Sequence, residues 1–251
     1  MLDDLAHEKR KYWNLYQHKR YRRGSPGERE AAYFLFSSNR EQGDTVIDLG
    51  CGTGRAGKHI AEYNKKMPGG EPKRINVTLF DFVDAREVDL PFIEGNIWDL
   101  NGLPVFDWIL CCDVLEHVPP QYVDQTLDGM AEITRKGGLL TISHIASSTA
   151  DFGVEPAEDL HLTIEPAAWW HEKVESRWQV KEWRSENGTH SRVILGAPHM
   201  AAKKKRKPKP RLAPTYNAPV VASCWVQGCT VRPPQDPCPK HGPKPETGAN
   251  G

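Results

Sequence analysis

From Thr45 onward, apolar residues come in short runs that end on acidic residues or glycine, and these runs alternate with stretches of helical periodicity. That rhythm predicts strands at 45–49, 75–80, 91–94, 106–112 and 138–145, with helices at 53–66, 119–135 and 165–176. Between Phe82 and Leu90 there is little chain for a crossover helix, so that helix is expected to be very short or absent. Two later runs, Val180 to Trp183 and Ser191 to Leu195, flank Asn187-Gly188, a strong signal for a tight hairpin. The predicted class is therefore α/β, a mostly parallel sheet with a closing antiparallel hairpin. Upstream, residues 3–22 set Tyr12, Trp13 and Tyr16 among basic groups, a narrow apolar stripe suited to a helix that covers the domain. Ser25 as N-cap, Pro26 at the first helical position and Glu28 as capping-box acid start a second helix, running to about Ser38.

Composition changes this picture at the C-terminus. The formal charge is zero, but residues 203–251 hold ten of the 33 basic residues and two of the 33 acidic ones. The tail is thus +8 and the rest −8, and half of the 20 prolines lie in the tail. Such a segment has little apolar surface to bury, which puts the domain boundary near Pro198. The expected organisation is a helical cover over 1–40, the α/β domain over 41–198, a basic Pro-rich linker over 199–223, and a terminal segment over 224–251. Lys203 to Arg211 places seven basic residues in nine, a composition that attracts nucleic acid by counterion release or simply forms a solvated linker. Cys224, Cys229, Cys238 and His241 pair as C-x4-C and C-x2-H, the donor count of a structural zinc site; the alternative is an unstructured tail with scattered cysteines. No apolar run approaches the roughly 18 residues of a membrane span, and Met-Leu-Asp-Asp does not open a signal peptide. A cytoplasmic protein without membrane attachment is expected. Cys51, Cys111 and Cys112 then read as small packing residues near strand ends.

The candidate chemistry centres on Val46-Ile47-Asp48-Leu49-Gly50-Cys51-Gly52-Thr53-Gly54. A strand that turns sharply through three glycines into a helix brings bare backbone against a ligand. Gly52 to Gly57 also satisfies the dinucleotide pattern G-x-G-x-x-G, so the turn alone fits two cofactors. Asp48 and a second segment separate them, whereas an acid at the place of Asp81 serves either cofactor. Asp48 precedes the first glycine by two residues, Asp81 ends the second strand, and the fourth strand opens into Asp113-Val114-Leu115-Glu116-His117-Val118.

With these residues the chain resembles the small-molecule class I S-adenosylmethionine-dependent methyltransferases over about residues 44–146. Adding Tyr21 to Glu28, Leu160 to Thr163 and Trp169-Trp170, it is similar to methyltransferase-domain proteins of bacteriophage genomes, whose substrates are mostly unassigned. The resemblance implies a Rossmann-like sheet and cofactor contacts at Asp48, Gly50, Cys51, Gly52 and Gly54. Asp81 and Phe82 would meet the ribose, Asn96 with Ile97 or Trp98 the adenine, and Asp113 would border the site. Asp48 would face the cationic amino-acid end, which a dinucleotide lacks.

Such chemistry is mainly positioning, because the sulfonium brings its own leaving group. His117, His144 and His161 are candidate bases, since an unperturbed imidazole titrates near neutrality. His161, in the loop after the fifth strand, is the first choice, and His117 is expected to contact cofactor or support the turn. The acceptor is expected to be a small molecule or modified nucleotide methylated at oxygen or nitrogen. A binding module with a tethered or degenerate methyltransferase domain is the other reading. Ordinary DNA-base methylation is disfavoured, because the segment after the fourth strand lacks the N/D-P-P-Y/F residues that hold a flipped base and no Pro-Cys nucleophile is present there.

Overall fold

The computed structural model describes residues 2–63 and 75–199. Three helices come first: α1 (Leu2–Gln17), α2 (Lys19–Arg23) and α3 (Pro26–Ser37). They are followed by β1 (Thr45–Leu49), α4 (Arg55–Tyr63), β2 (Asn76–Asp81), β3 (Phe92–Glu94) and β4 (Phe106–Cys112). The chain continues through α5 (Val123–Glu132), β5 (Thr134–Ser143), α6 (Ala167–Glu175), β6 (Trp178–Glu186) and β7 (His190–Pro198). The sheet order is β3-β2-β1-β4-β5-β7-β6. The first five strands run parallel, and β7 inserts antiparallel between β5 and β6.

The alternating pattern produced this sheet because the central strands are buried on both faces, as parallel strands flanked by helices must be. Leu127 and Met130 of α5 and Trp170 and Val174 of α6 pack with Ile47, Ile109 and Leu140 on one face. Phe34 and Leu35 of α3 and Ile60 of α4 pack with Val46, Leu110 and Leu139 on the other. Each such side chain contributes about 1.5–3 kcal/mol on burial, so the two faces hold the strand ends in fixed register. The hairpin forms where expected, with Asn187 at φ 49° and Gly188 at φ 73°, both left-handed, and the Thr189 amide closing the turn on the Glu186 carbonyl (2.9 Å) before Glu186 pairs with His190. No helix interrupts residues 82–91 between β2 and β3.

Four expectations are corrected. The helix anticipated over 3–22 is two, broken at His18, which is extended (φ −89°, ψ 120°). Trp13, placed on its apolar stripe, is half exposed (49%), while Tyr12 and Leu15 are buried. Ser25 does occupy the N-cap of α3, yet its hydroxyl makes no capping bond; its carbonyl takes the Glu28 amide instead (3.1 Å). Finally, α5 ends at Glu132 and β5 begins at Thr134, not at 138. The Gly137-Gly138 pair lies inside the strand because neighbouring backbone comes too close for a side chain: a Cβ at either glycine would stand 2.2 Å from a carbonyl oxygen, of Leu195 or of Ile109. Residues 64–66 of the helix expected over 53–66, most of the basic linker, and Cys224, Cys229, Cys238 and His241 lie outside the described residues.

Candidate functional site

The parallel strands β1, β2 and β4 deliver their carboxyl ends to one edge, where sheets of this kind bind ligands. At the end of β1 the chain passes through Gly50, Gly52 and Gly54 at φ 71°, 54° and 79°. These are left-handed conformations that a side chain would strain. The amides of Gly50 and Cys51 both donate to the Phe80 carbonyl (2.8 and 3.1 Å), tying this turn to the end of β2. Asp81 completes the tie. Its Oδ2 accepts from the Gly52 amide (2.9 Å), and its Oδ1 accepts from Phe82 and Val83 (2.7 and 3.2 Å). Burial pushes its carboxyl up to about 6 in spite of the three amides. Asp48 is buried deeper and accepts only the Gly57 amide at the start of α4 (3.2 Å). Burial, one amide bond and the neighbouring Asp81 leave it at about 7.

Beside this turn opens a cleft of about 80 Å³. Gly50, Asp81, Phe82, Asn96, Ile97 and Asp113 line it, together with Trp98 and His117. Asp48, Cys51, Gly52 and Gly54 are not on its wall; they form the turn behind it, where Cys51 is a buried thiol with its pKa pushed up by burial. The Asn96 side-chain oxygen accepts the Trp98 amide (3.2 Å), which fixes the turn after β3. Trp98 stacks flat on Tyr122 (ring centres 5.1 Å apart), so one indole face is already covered. Asp113 holds an unusual φ of 52° for a non-glycine residue, stabilised by a hydrogen bond from Thr141 Oγ1 to its Oδ1 (2.7 Å).

The roof of the cleft had no clear signal in the sequence beyond the aromatics of the first helix. Tyr12 and Tyr16 of α1 and Tyr21 of α2 line it, and burial raises all three phenols. The Tyr16 hydroxyl would lie 2.9 Å from a Cβ at Gly52, so this glycine makes room for the roof as well as for a ligand. The lining includes two carboxylates, Asp81 and Asp113, and no lysine or arginine. Such a wall favours a cationic ligand and opposes a pyrophosphate.

Of the three candidate histidines, His144 has both ring nitrogens engaged, with Ser191 Oγ (2.8 Å) and the Glu165 carbonyl (3.0 Å). His117 and His161 instead meet edge to face, ring centres 4.8 Å apart. His117 Nδ1 lies 2.6 Å from Tyr12 Oη and 2.8 Å from the Leu160 carbonyl, and burial, with His161 beside it, lowers the ring to about 3. His161 Nδ1 sits 2.5 Å from the Ile145 carbonyl, and its pKa is lowered chiefly by burial. Glu116 is fully buried. Its Oε1 accepts the Ser143 amide (3.0 Å) and its carbonyl accepts the Leu162 and Thr163 amides (2.8 and 2.9 Å).

Comparison with known proteins agrees with this geometry. A methyltransferase-domain family model matches residues 16–196. The chain is 27% identical over 107 residues to an uncharacterized methyltransferase of Synechocystis sp. (40% of this chain, 46% of that one). It is 26% identical over 123 residues to (S)-coclaurine N-methyltransferase of Thalictrum flavum (47% of this chain, 34% of that one). The chain thus spans less than half the length of these curated relatives. Among solved structures it resembles an S-adenosylmethionine-dependent methyltransferase of Clostridium acetobutylicum, with a TM-score of 0.52 at 10% identity over 75% of this chain and 98% of that one. The sheet with its reversed β7, the glycine turn bound to Asp81 and the match over residues 16–196 together place this chain in the methyltransferase-domain family.

Proposed function

We propose that the chain is a class I methyltransferase that transfers the methyl group of S-adenosylmethionine to an oxygen or nitrogen of a small molecule or modified nucleotide. The observation that carries this reading is the cleft itself: a glycine turn locked to Asp81, walled by Phe82, Ile97 and Trp98, and acidic where a ligand would sit. Asp81 Oδ2 accepts only one amide and keeps a lone pair for a ribose hydroxyl. Phe82, Ile97 and Trp98 offer apolar surface to a purine, with Asn96 as its polar neighbour. Asp48, behind the turn, lies within the field of a cationic group held over Gly50. Asp113 closes the wall beyond Gly50, and His117 and His161 stand on the acceptor side.

S-adenosylmethionine supplies an electrophilic methyl carbon on a positively charged sulfur. What the chain's residues add is alignment, exclusion of water by the tyrosine roof, and a means of taking the acceptor's proton at the His117–His161 wall. His161, which is partly exposed, is the first candidate for that last role. The basic run 203–211 favours a second reading in which the tail brings the domain to nucleic acid, and Cys224, Cys229, Cys238 and His241 would hold a zinc ion there. A cytoplasmic setting, and kinship with phage-encoded proteins, belong to the first reading, that of the methyltransferase. The test is a search for methyl acceptors in cell lysate with labelled cofactor, comparing wild type with Asp81→Ala. Label that appears only with wild type supports the proposal, and no label with either protein, at saturating cofactor, opposes it.

A further inference from the structure

Among the described residues, one group of side chains fits no role in cofactor binding. Glu116, His117 and His161 each present one ligand atom, a carboxylate oxygen or a ring nitrogen, and the three atoms lie within 4.8 Å of one another. Glu116 Oε2 is buried and has no hydrogen-bond partner, although its twin oxygen is bonded to Ser143. A buried carboxyl oxygen without a partner is costly, and its presence asks for an occupant. The imidazoles are prepared in the same sense. Nδ1 of His161 lies at the Ile145 carbonyl, and Nδ1 of His117 lies between the Leu160 carbonyl and Tyr12 Oη. An Nδ1–H donated to the carbonyl leaves Nε2 with its lone pair free, the arrangement that orients metal-bound histidines.

We propose that Glu116, His117 and His161 form a binding site for one divalent first-row metal ion at the acceptor end of the cleft, and that it receives an acceptor hydroxyl. Two imidazoles and one carboxylate are the donor set of zinc and of octahedral ions that keep open positions. Bonds of about 2.0–2.2 Å put neighbouring ligand atoms of a tetrahedral or octahedral site roughly 3–3.6 Å apart, so the three atoms must draw together by up to about 1–2 Å when the ion binds. Glu116 is fixed by the Ser143 amide and by its carbonyl's two bonds to 162–163, the segment that follows His161; the ligands from β4's end and from this loop are therefore mutually braced. His117 also lines the cleft, so the open positions of the ion face the ligand space.

The inference rests on the methyltransferase reading and sharpens it: the acceptor is a hydroxyl compound, best one with a second oxygen that can chelate. The O–H proton leaves to solvent as the ion stabilises the oxygen, the oxygen lone pair forms the new C–O bond, and the C–S electron pair stays on sulfur as a neutral thioether. His161 then acts as a ligand and not as the free base expected from the sequence.

The test is titration of chelator-treated full-length protein with Mn²⁺, followed by loss of the free-ion electron paramagnetic resonance signal, and repeated with Zn²⁺ by calorimetry. Wild type should bind one Mn²⁺ per chain. His161→Ala and Glu116→Gln should each weaken it by about tenfold or more. Cys224→Ser with Cys238→Ser should leave the Mn²⁺ site unchanged, which separates it from any thiolate site in the tail. Both site variants are checked by melting temperature; His161 is partly exposed, and glutamine retains an acceptor for Ser143. Absence of both metals from wild type, or affinities unaltered in His161→Ala and Glu116→Gln, would overturn the site. Cofactor binding measured on the same samples distinguishes the two readings: metal failure with intact cofactor binding refutes only this inference.

Discussion

Gly50→Ala isolates the physical demand that the glycine turn makes on the chain. At φ 71° an alanine pays the left-handed penalty, about 1–2 kcal/mol. The new Cβ would also stand 2.4 Å from Val114 Cγ2 and 2.8 Å from Cγ1. Valine is stiff about χ1 and cannot rotate both methyls out of the way, so overpacking adds about 1–3 kcal/mol. The total, about 2–5 kcal/mol, is a large share of an ordinary domain's stability of about 5–15 kcal/mol. Guanidinium unfolding of wild type, Gly50→Ala, Val114→Ala and the double variant separates the two contributions. In the Val114→Ala background the glycine substitution should cost only the backbone part, about 1–2 kcal/mol. An equal cost in both backgrounds would refute the contact with Val114, and a cost below about 0.5 kcal/mol in the wild-type background would refute the strain as well.

Cofactor affinity should depend on pH through the two buried carboxyls. With Asp81 at about 6 and Asp48 at about 7 in the free protein, both are largely ionised at pH 8, and the protonated forms that dominate below pH 6 lack the charge a cationic ligand needs. Equilibrium dialysis from pH 5 to 8 should show binding weakening toward acid, by up to about tenfold per pH unit for each group that must ionise; a flat profile would contradict it. Because burial raises both folded-state values, their contribution to the stability of the free protein is complete below about pH 4 and is lost as pH rises through 6 to 7. The cofactor should therefore raise the melting temperature more at pH 8 than at pH 5.5. Asp44→Ala removes the acceptor of the Trp108 indole N–H (2.7 Å), the Glu41 amide (2.9 Å) and Lys136 Nζ (2.7 Å). It should cost about 2–4 kcal/mol in chemical denaturation, and a loss under about 0.5 kcal/mol would show that water replaces the carboxylate. Burial acts to raise the Asp44 pKa, but Lys136, the Glu41 amide and Trp108 together set it below the usual carboxylate range. Its stabilisation is therefore present above about pH 4 and falls away in acid. Cobalt added to the metal-stripped chain should give thiolate charge-transfer absorption that disappears in Cys224→Ser with Cys238→Ser; a spectrum without such bands would remove the tail zinc site.

The sheet was legible because its signals are local. Apolar runs mark β1 and β4, Asn187-Gly188 marks the hairpin, and the short span from Phe82 to Leu90 reports the missing helix. Asp81 at the end of β2 is a sequence-readable position, while its bond to the Gly52 amide belongs to the tertiary structure. What could not be read is tertiary. Gly137-Gly138 looks like a strand start, and only the approach of Leu195 and Ile109 backbone shows that it lies within β5. The Tyr12, Tyr16 and Tyr21 roof depends on the break at His18, which no glycine or proline announces. Glu116 appears as one more letter of Val114-Leu115-Glu116-His117. Its solitary Oε2 exists because β5 supplies one amide for two oxygens, a count that packing alone reveals.

The central claim is that the cleft beside Asp81 binds S-adenosylmethionine, and calorimetric titration of the full chain tests it most directly. Wild type should bind one cofactor per chain at pH 8, and Asp81→Ala, verified as folded, should bind about 10–150-fold more weakly, the loss of one charge-assisted hydrogen bond of about 1.5–3 kcal/mol. Absence of binding to wild type, or equal affinity in the variant, would contradict the account.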